Sequence, residues 1–159
     1  MHQINIFTKS LFFTDQKDSE FKKETVKTKQ VDVKKFNKII SNFVDGLCKN
    51  YCIDSQKIEI DNISFVEDLK NESNLNQKFK DFLFQGLYLI DVDEDCGLIS
   101  FKREPEKIIF IHTDFIPVFN FIARENTVVV IPFNVPFDLK ENKSNKKRQY
   151  IHFTLKYAY

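Results

Sequence analysis

The feature that most constrains this chain is a change of hydrophobic period at Gly86. Before it, Phe36, Ile39, Ile40, Phe43, Val44 and Leu47 fall at the i, i+3, i+4, i+7, i+8 and i+11 spacing of one helical face. Beyond it the apolar residues recur every second position, the pattern of half-buried strands. Both periods occur, but without a regular strand–helix–strand alternation. The expected class is therefore α+β: a mixed, mainly antiparallel sheet packed by two or three helices. The 159 residues suit a single domain over 1–159, since domains typically run to roughly 100–200 residues.

Asp32 is placed to cap the helix that carries Phe36 to Leu47. A second helical region is expected over 64–85, firmer from Ser73, with Leu75, Phe79, Phe82 and Leu83 on one face and Gly86 as its stop. Strands are expected over 3–13, 24–31, 57–60, 107–112 and 128–131. A β-hairpin is expected from 87–92 and 98–103 around a loop ending at Gly97. Residues 114–124 are ambiguous: Asp114 can cap, Pro117 can sit in a first turn, and Phe115, Val118, Phe119 and Ile122 share a helical face. Pro132 and Pro136 suggest an edge or irregular course from Phe133 to Leu139. In the last strand Ile151, Phe153, Leu155 and Tyr157 alternate with Tyr150, His152, Thr154 and Lys156, so one face is apolar and the other polar.

Composition sets the class of protein. Hydrophobic residues are 42% and charged residues 30%, a globular rather than a disordered balance. With 18 Phe and no Trp, long apolar side chains must fill the interior. Three cysteines, Cys48, Cys52 and Cys96, are an odd number and cannot form a complete disulfide framework. Together with the lack of a signal peptide they point to a reducing, cytoplasmic setting. No run approaches the roughly 18 apolar residues of a membrane span, so no membrane partner is expected.

The net charge is +1, but its distribution is uneven. Residues 1–50 hold 10 basic against 6 acidic side chains, 51–106 hold 6 against 13, and 107–159 hold 8 against 4. The densest acidic cluster, Asp91, Asp93, Glu94 and Asp95, opens like a calcium loop. It then lacks the required glycine, with Cys96 in that place, and the closing glutamate, with Lys102 there. A two-metal nuclease needs a Glu-x-Lys on a strand next to an acid, and Pro105 interrupts the segment where it belongs. Cys96 and His112 are residue types for a nucleophile and base, but nothing in their spacing joins them. With Gly46, Gly86 and Gly97 as the only glycines, no glycine-rich phosphate loop can be built. No metal, cofactor or catalytic residue is expected.

By elimination the sequence points to a non-enzymatic module that docks on a protein partner, of toxin-neutralising, inhibitor or assembly-subunit type. Its expected recognition surface is Asp91, Asp93, Glu94 and Asp95, with Phe133, Phe137 and Tyr157 on an open edge. The alternative is nucleic-acid binding through the basic 140–148 loop, with Lys143, Lys146, Lys147 and Arg148 on phosphates and Tyr150 stacking a base. A third reading makes the 91–95 hairpin the site of a metal-dependent hydrolase.

Overall fold

The computed structural model describes residues 2–6, 9–15, 18–75, 81–96, 98–102, 118–122, 124–132 and 137–158. Among the described residues two antiparallel sheets and two helices make an α+β fold. The chain opens with β1 (His2–Ile6) and β2 (Lys9–Asp15), followed by α1 (Ser19–Thr28) and α2 (Val33–Asn50). After a 3-10 turn come β3 (Ile58–Asp68), β4 (Phe84–Asp91), β5 (Leu98–Lys102) and β6 (Val118–Ile122). The last strands are β7 (Thr127–Pro132), β8 (Phe137–Leu139) and β9 (Arg148–Tyr157). The large sheet runs β1-β2-β7-β4-β9-β3, and the small one β6-β5-β8. No helix among the described residues is long and apolar enough to cross a membrane.

The helix expected from Phe36 to Leu47 forms as α2. Asp32 caps it, accepting from the Lys35 amide at 3.1 Å. Its apolar face, with Phe36, Ile40, Phe43 and Leu47, lies on Tyr88, Val128, Val130, Ile151, Phe153 and Leu155 of the large sheet. Each such side chain taken fully out of water contributes about 1.5–3 kcal/mol. The weakly alternating 24–31 segment belongs mostly to a helix, α1. Asp18 caps that helix, accepting from Phe21 N at 2.8 Å, and Phe21 and Thr25, four residues apart, are its buried positions.

Several expectations yield to tertiary pairing. The second helix over 64–85 is absent among the described residues there. Ile58–Asp68 is instead one long strand against β9, with a register shift between Ile60 and Asn62. Gly86 lies inside β4 rather than at a helix end, opposite Phe153. A Cβ there would come within 2.1 Å of the Phe153 ring, so glycine is what lets that ring cross the strand. The expected 87–92/98–103 hairpin is not one, because β4 and β5 belong to different sheets. Residues 118–122 are a strand, and the expected strand over 107–112 lies outside the described residues.

The two sheets pack face to face. Leu87, Leu89, Val129, Ile131 and Tyr150 of the large sheet meet Ile99, Phe101, Phe121, Phe137 and Leu139 of the small one. The central strands β4, β7 and β9 are therefore covered on both faces, by helices on one side and by a second sheet on the other.

Candidate functional site

The last strand carries the unusual chemistry. β9 lies between β4 and β3 in the large sheet. Its helix-facing positions, Ile151, Phe153 and Leu155, are apolar as the alternation requires. The other positions, Arg148, Tyr150, His152 and Thr154, point to the opposite face, where Tyr150 packs in the layer between the sheets, and none is more than 2% exposed. The polar face that alternation assigns to water is thus an interior wall. Neighbouring strands flank it: Gln85 and Leu87 on β4 are buried, while on β3 Asn62 is half-buried and Ser64 exposed, and these pair with Thr154 and His152.

Arg148 anchors one end of this row. Its Nε donates to Asp68 at 2.9 Å, and Nη2 donates to the same carboxylate. Its Nη1 donates to the carbonyls of Cys96 and Lys140. Both partners of the Arg148–Asp68 ion pair are fully buried. Such a pair contributes little net stability, but removing one partner leaves an unpaired buried charge. Its donors go to Asp68 and to the connections on either side of the small sheet, so it ties the two layers together.

Tyr150 comes next, with its ring near the guanidinium, 5.8 Å from Cζ to the ring centroid. Burial raises the phenol well above its usual range. The neighbouring Asp68 carboxylate adds to that, yet the hydroxyl makes no hydrogen bond of sound geometry and is fully buried. A buried hydroxyl in that state lowers stability, because it has given up water for nothing.

His152 follows. One ring nitrogen, Nε2, meets Gln85 Oε1 at 2.8 Å. With the amide oxygen as acceptor, Nε2 carries the hydrogen and Nδ1 is the acceptor nitrogen. Burial pushes the imidazole down to about 4, so it is uncharged at neutral pH. Thr154 closes the row, its Oγ1 accepting from the Asn62 amide at 3.2 Å and from Asn62 Nδ2 at 3.3 Å. The sequence names Tyr150 and His152 as a polar face, but it holds no signal that a second sheet covers them.

The residues expected on a docking or nucleic-acid surface divide into exposed and buried ones. Asp91 is exposed at the end of β4. Asp93 is locked into the turn: Ser144 Oγ donates to it at 2.6 Å, and the Asp95 amide does so at 3.1 Å. The Ser144 bond is the largest cause holding its carboxyl below the usual range. The Asp95 carbonyl accepts from Lys143 N at 3.1 Å. The acidic turn and the basic loop are therefore joined to each other, and Glu94 and Asp95 are its exposed tip. Phe137 is buried and Tyr157 is exposed, while Phe133 lies outside the described residues.

In the basic loop, Lys143 pairs with Glu141 at 2.6 Å and Lys147 with Glu67 at 3.1 Å, while Lys146 is exposed. Arg148 and Tyr150 have no exposed surface and cannot meet a phosphate or a base. Cys96 is buried, its thiol pushed up to about 11 mainly by desolvation, which disfavours the reactive thiolate. All three cysteines are free thiols.

No protein family and no curated protein matches this sequence. Among solved structures the chain is similar to HygX from Streptomyces hygroscopicus, determined with iron bound. The likeness has a TM-score of 0.58 at 9% identity and covers 94% of this chain and 82% of HygX. IDO from Bacillus thuringiensis matches more loosely, with a TM-score of 0.48 at 15% identity over 77% of this chain and 57% of that one. The HygX likeness is one of fold. It overturns the expectation of a non-enzymatic protein-docking module, because nearly the whole chain follows an architecture that carries iron in HygX.

The iron in HygX prompts a test of the residues here. Among the described residues no group of three or more His, Cys, Asp or Glu is placed to hold a metal ion. His152 is partnered by an amide and Asp68 by an arginine. The described residues do not fit an iron centre.

Proposed function

We propose that this protein is an enzyme acting on a small polar organic molecule held between the two sheets, beside Gln85, His152, Thr154 and Asn62. The observation that carries this reading is the inward row of β9. Four successive buried polar side chains stand where apolar ones make a more stable sandwich. Stability is commonly surrendered in this way where activity needs it. Tyr150 offers the bound molecule a hydroxyl. His152 presents a neutral imidazole, a hydrogen-bond partner rather than a fixed positive charge. Gln85 sets the orientation of that ring. HygX supports an enzyme to the extent that the same fold holds iron there. The free thiols support a reducing, cytoplasmic setting.

The test is a thermal-shift screen of the whole protein against small polar metabolites, with turnover of each hit followed by mass spectrometry. A ligand at a hundred times its Kd adds about 2.7 kcal/mol, or roughly 5–10 °C for a chain of this length. The expected hit is consumed by the wild type, and both shift and turnover are lost in His152→Asn and Tyr150→Phe. A hit that those variants bind and turn over as the wild type does would place the activity elsewhere. A complete screen without a hit would sink the reading.

A further inference from the structure

A cleft of about 380 Å³ lies outside the sandwich, between α1 and the ends of β4 and β9. That is near the lower end of the roughly 300–1,000 Å³ typical of small-molecule sites. Val26 of α1 and Ile90 of β4 give it an apolar floor. Two of its charged residues satisfy each other: Lys22 Nζ donates to Glu125 at 2.6 Å and also to Asn126 at 2.7 Å.

The remaining charges have no such partners. Lys23 and Lys27, four residues apart on α1, are exposed and make no ion pair among the described residues. Like charges at that spacing repel, so an anion between them is favoured. Across the cleft Asp91 is exposed and also without an ion pair among the described residues. It stands opposite Gln149 in the β4–β9 register. Gln149 donates its amide hydrogen to Glu67 at 2.8 Å, which leaves its Oε1 as an acceptor in the lining that Gln149 shares with Asp91. The cleft therefore has a cationic wall, an acceptor wall and an apolar floor.

We propose that this cleft binds a small zwitterion of the amino-acid type. The carboxylate lies between Lys23 and Lys27, the ammonium meets Asp91 and Gln149 Oε1, and any apolar side chain rests on Val26 and Ile90. An anion alone leaves Asp91 repelling it, and a cation alone leaves the two lysines doing so. Only a ligand with both poles satisfies both walls.

The experiment is an amide chemical-shift titration of the full chain with glycine, leucine, β-alanine and γ-aminobutyrate. Acetate and methylammonium serve as single-pole controls. The zwitterion whose pole spacing matches the cleft is expected to shift the amides around Lys27, Ile90 and Asp91. Its affinity should fall roughly tenfold or more in Asp91→Asn, and likewise in the Lys23→Ala/Lys27→Ala double variant. All three side chains are exposed, so the variants should retain the native spectrum elsewhere. Acetate acting as strongly as the zwitterions, with Asp91→Asn unaffected, would make this an anion patch and overturn the proposal. Absence of shifts with every zwitterion would overturn it as well. These residues lie outside the sandwich, so either result leaves the enzyme reading of the interior to its own test.

Discussion

The two faces of the large sheet's central strands are both buried, yet they are built from opposite chemistries. On the helix side Tyr88, Val128, Val130, Ile151, Phe153 and Leu155 meet α2 in an apolar layer. There Phe36 stands edge-on to Phe153 at 5.1 Å between centroids. On the sandwich side the same strand, β9, presents Arg148, Tyr150, His152 and Thr154. The first layer needs only the hydrophobic effect and close packing. The second depends on each polar group finding a partner, and at Tyr150 one does not. Where burial is equal and chemistry differs, the costly side is the one to examine for function.

The largest effect that sharpens this contrast is expected at Arg148. Arg148→Met strands Asp68 in the interior and should cost about 3–5 kcal/mol in urea unfolding. The double variant with Asp68→Leu should recover most of that loss. If the single and double variants are equally destabilised, the pair is not an isolated ionic unit.

The pH response should separate the faces next. The imidazole of His152 is at about 4 in the folded protein against an ordinary 6.5. Below 6.5 the unfolded chain takes up a proton that the folded one refuses, so stability falls as pH drops from 6.5 toward 4. The full window amounts to roughly 3 kcal/mol. Unfolding curves across this range should show the slope, and His152→Asn should flatten it. An unchanged slope in that variant would assign the acid sensitivity to other groups.

On the helix side the expected failure is steric. Gly86→Ala drives a Cβ into the Phe153 ring and should cost about 1–3 kcal/mol. Phe153→Leu in that background should return part of it. The smallest effect belongs to Tyr150→Phe. Removing a hydroxyl that has no partner should leave stability unchanged or raise it by about 1 kcal/mol.

Much of the fold was legible where local pattern and tertiary packing agree. Six apolar residues at helical spacing and a capping Asp32 specify α2 without help, and Val128–Ile131 reads as a buried strand. Where they compete, the sequence misleads. Thr25, Val26 and Thr28 are β-branched, yet the cap at Asp18 and the burial of Phe21 and Thr25 decide for helix in α1. Residues 64–68 extend β3 because β9 is long enough to pair with them through Asp68, information that lies some eighty residues away. The candidate site was half legible. Alternation separates Tyr150 and His152 from Ile151 and Phe153, but a single strand cannot announce that a second sheet will cover its polar face. Arg148 reads as a surface cation because its partner Asp68 is equally remote in sequence.

The central claim is that the inward polar row is retained for activity and not for folding. It is tested most directly by urea unfolding of the His152→Leu/Gln85→Met double variant, which replaces both partners of one buried pair with apolar side chains of similar size. The account predicts stability at neutral pH equal to or above that of the wild type, since the pair contributes little net stability to the sandwich. A loss of about 3 kcal/mol or more, the size expected for a broken structural network, would contradict it and make the row part of the architecture alone.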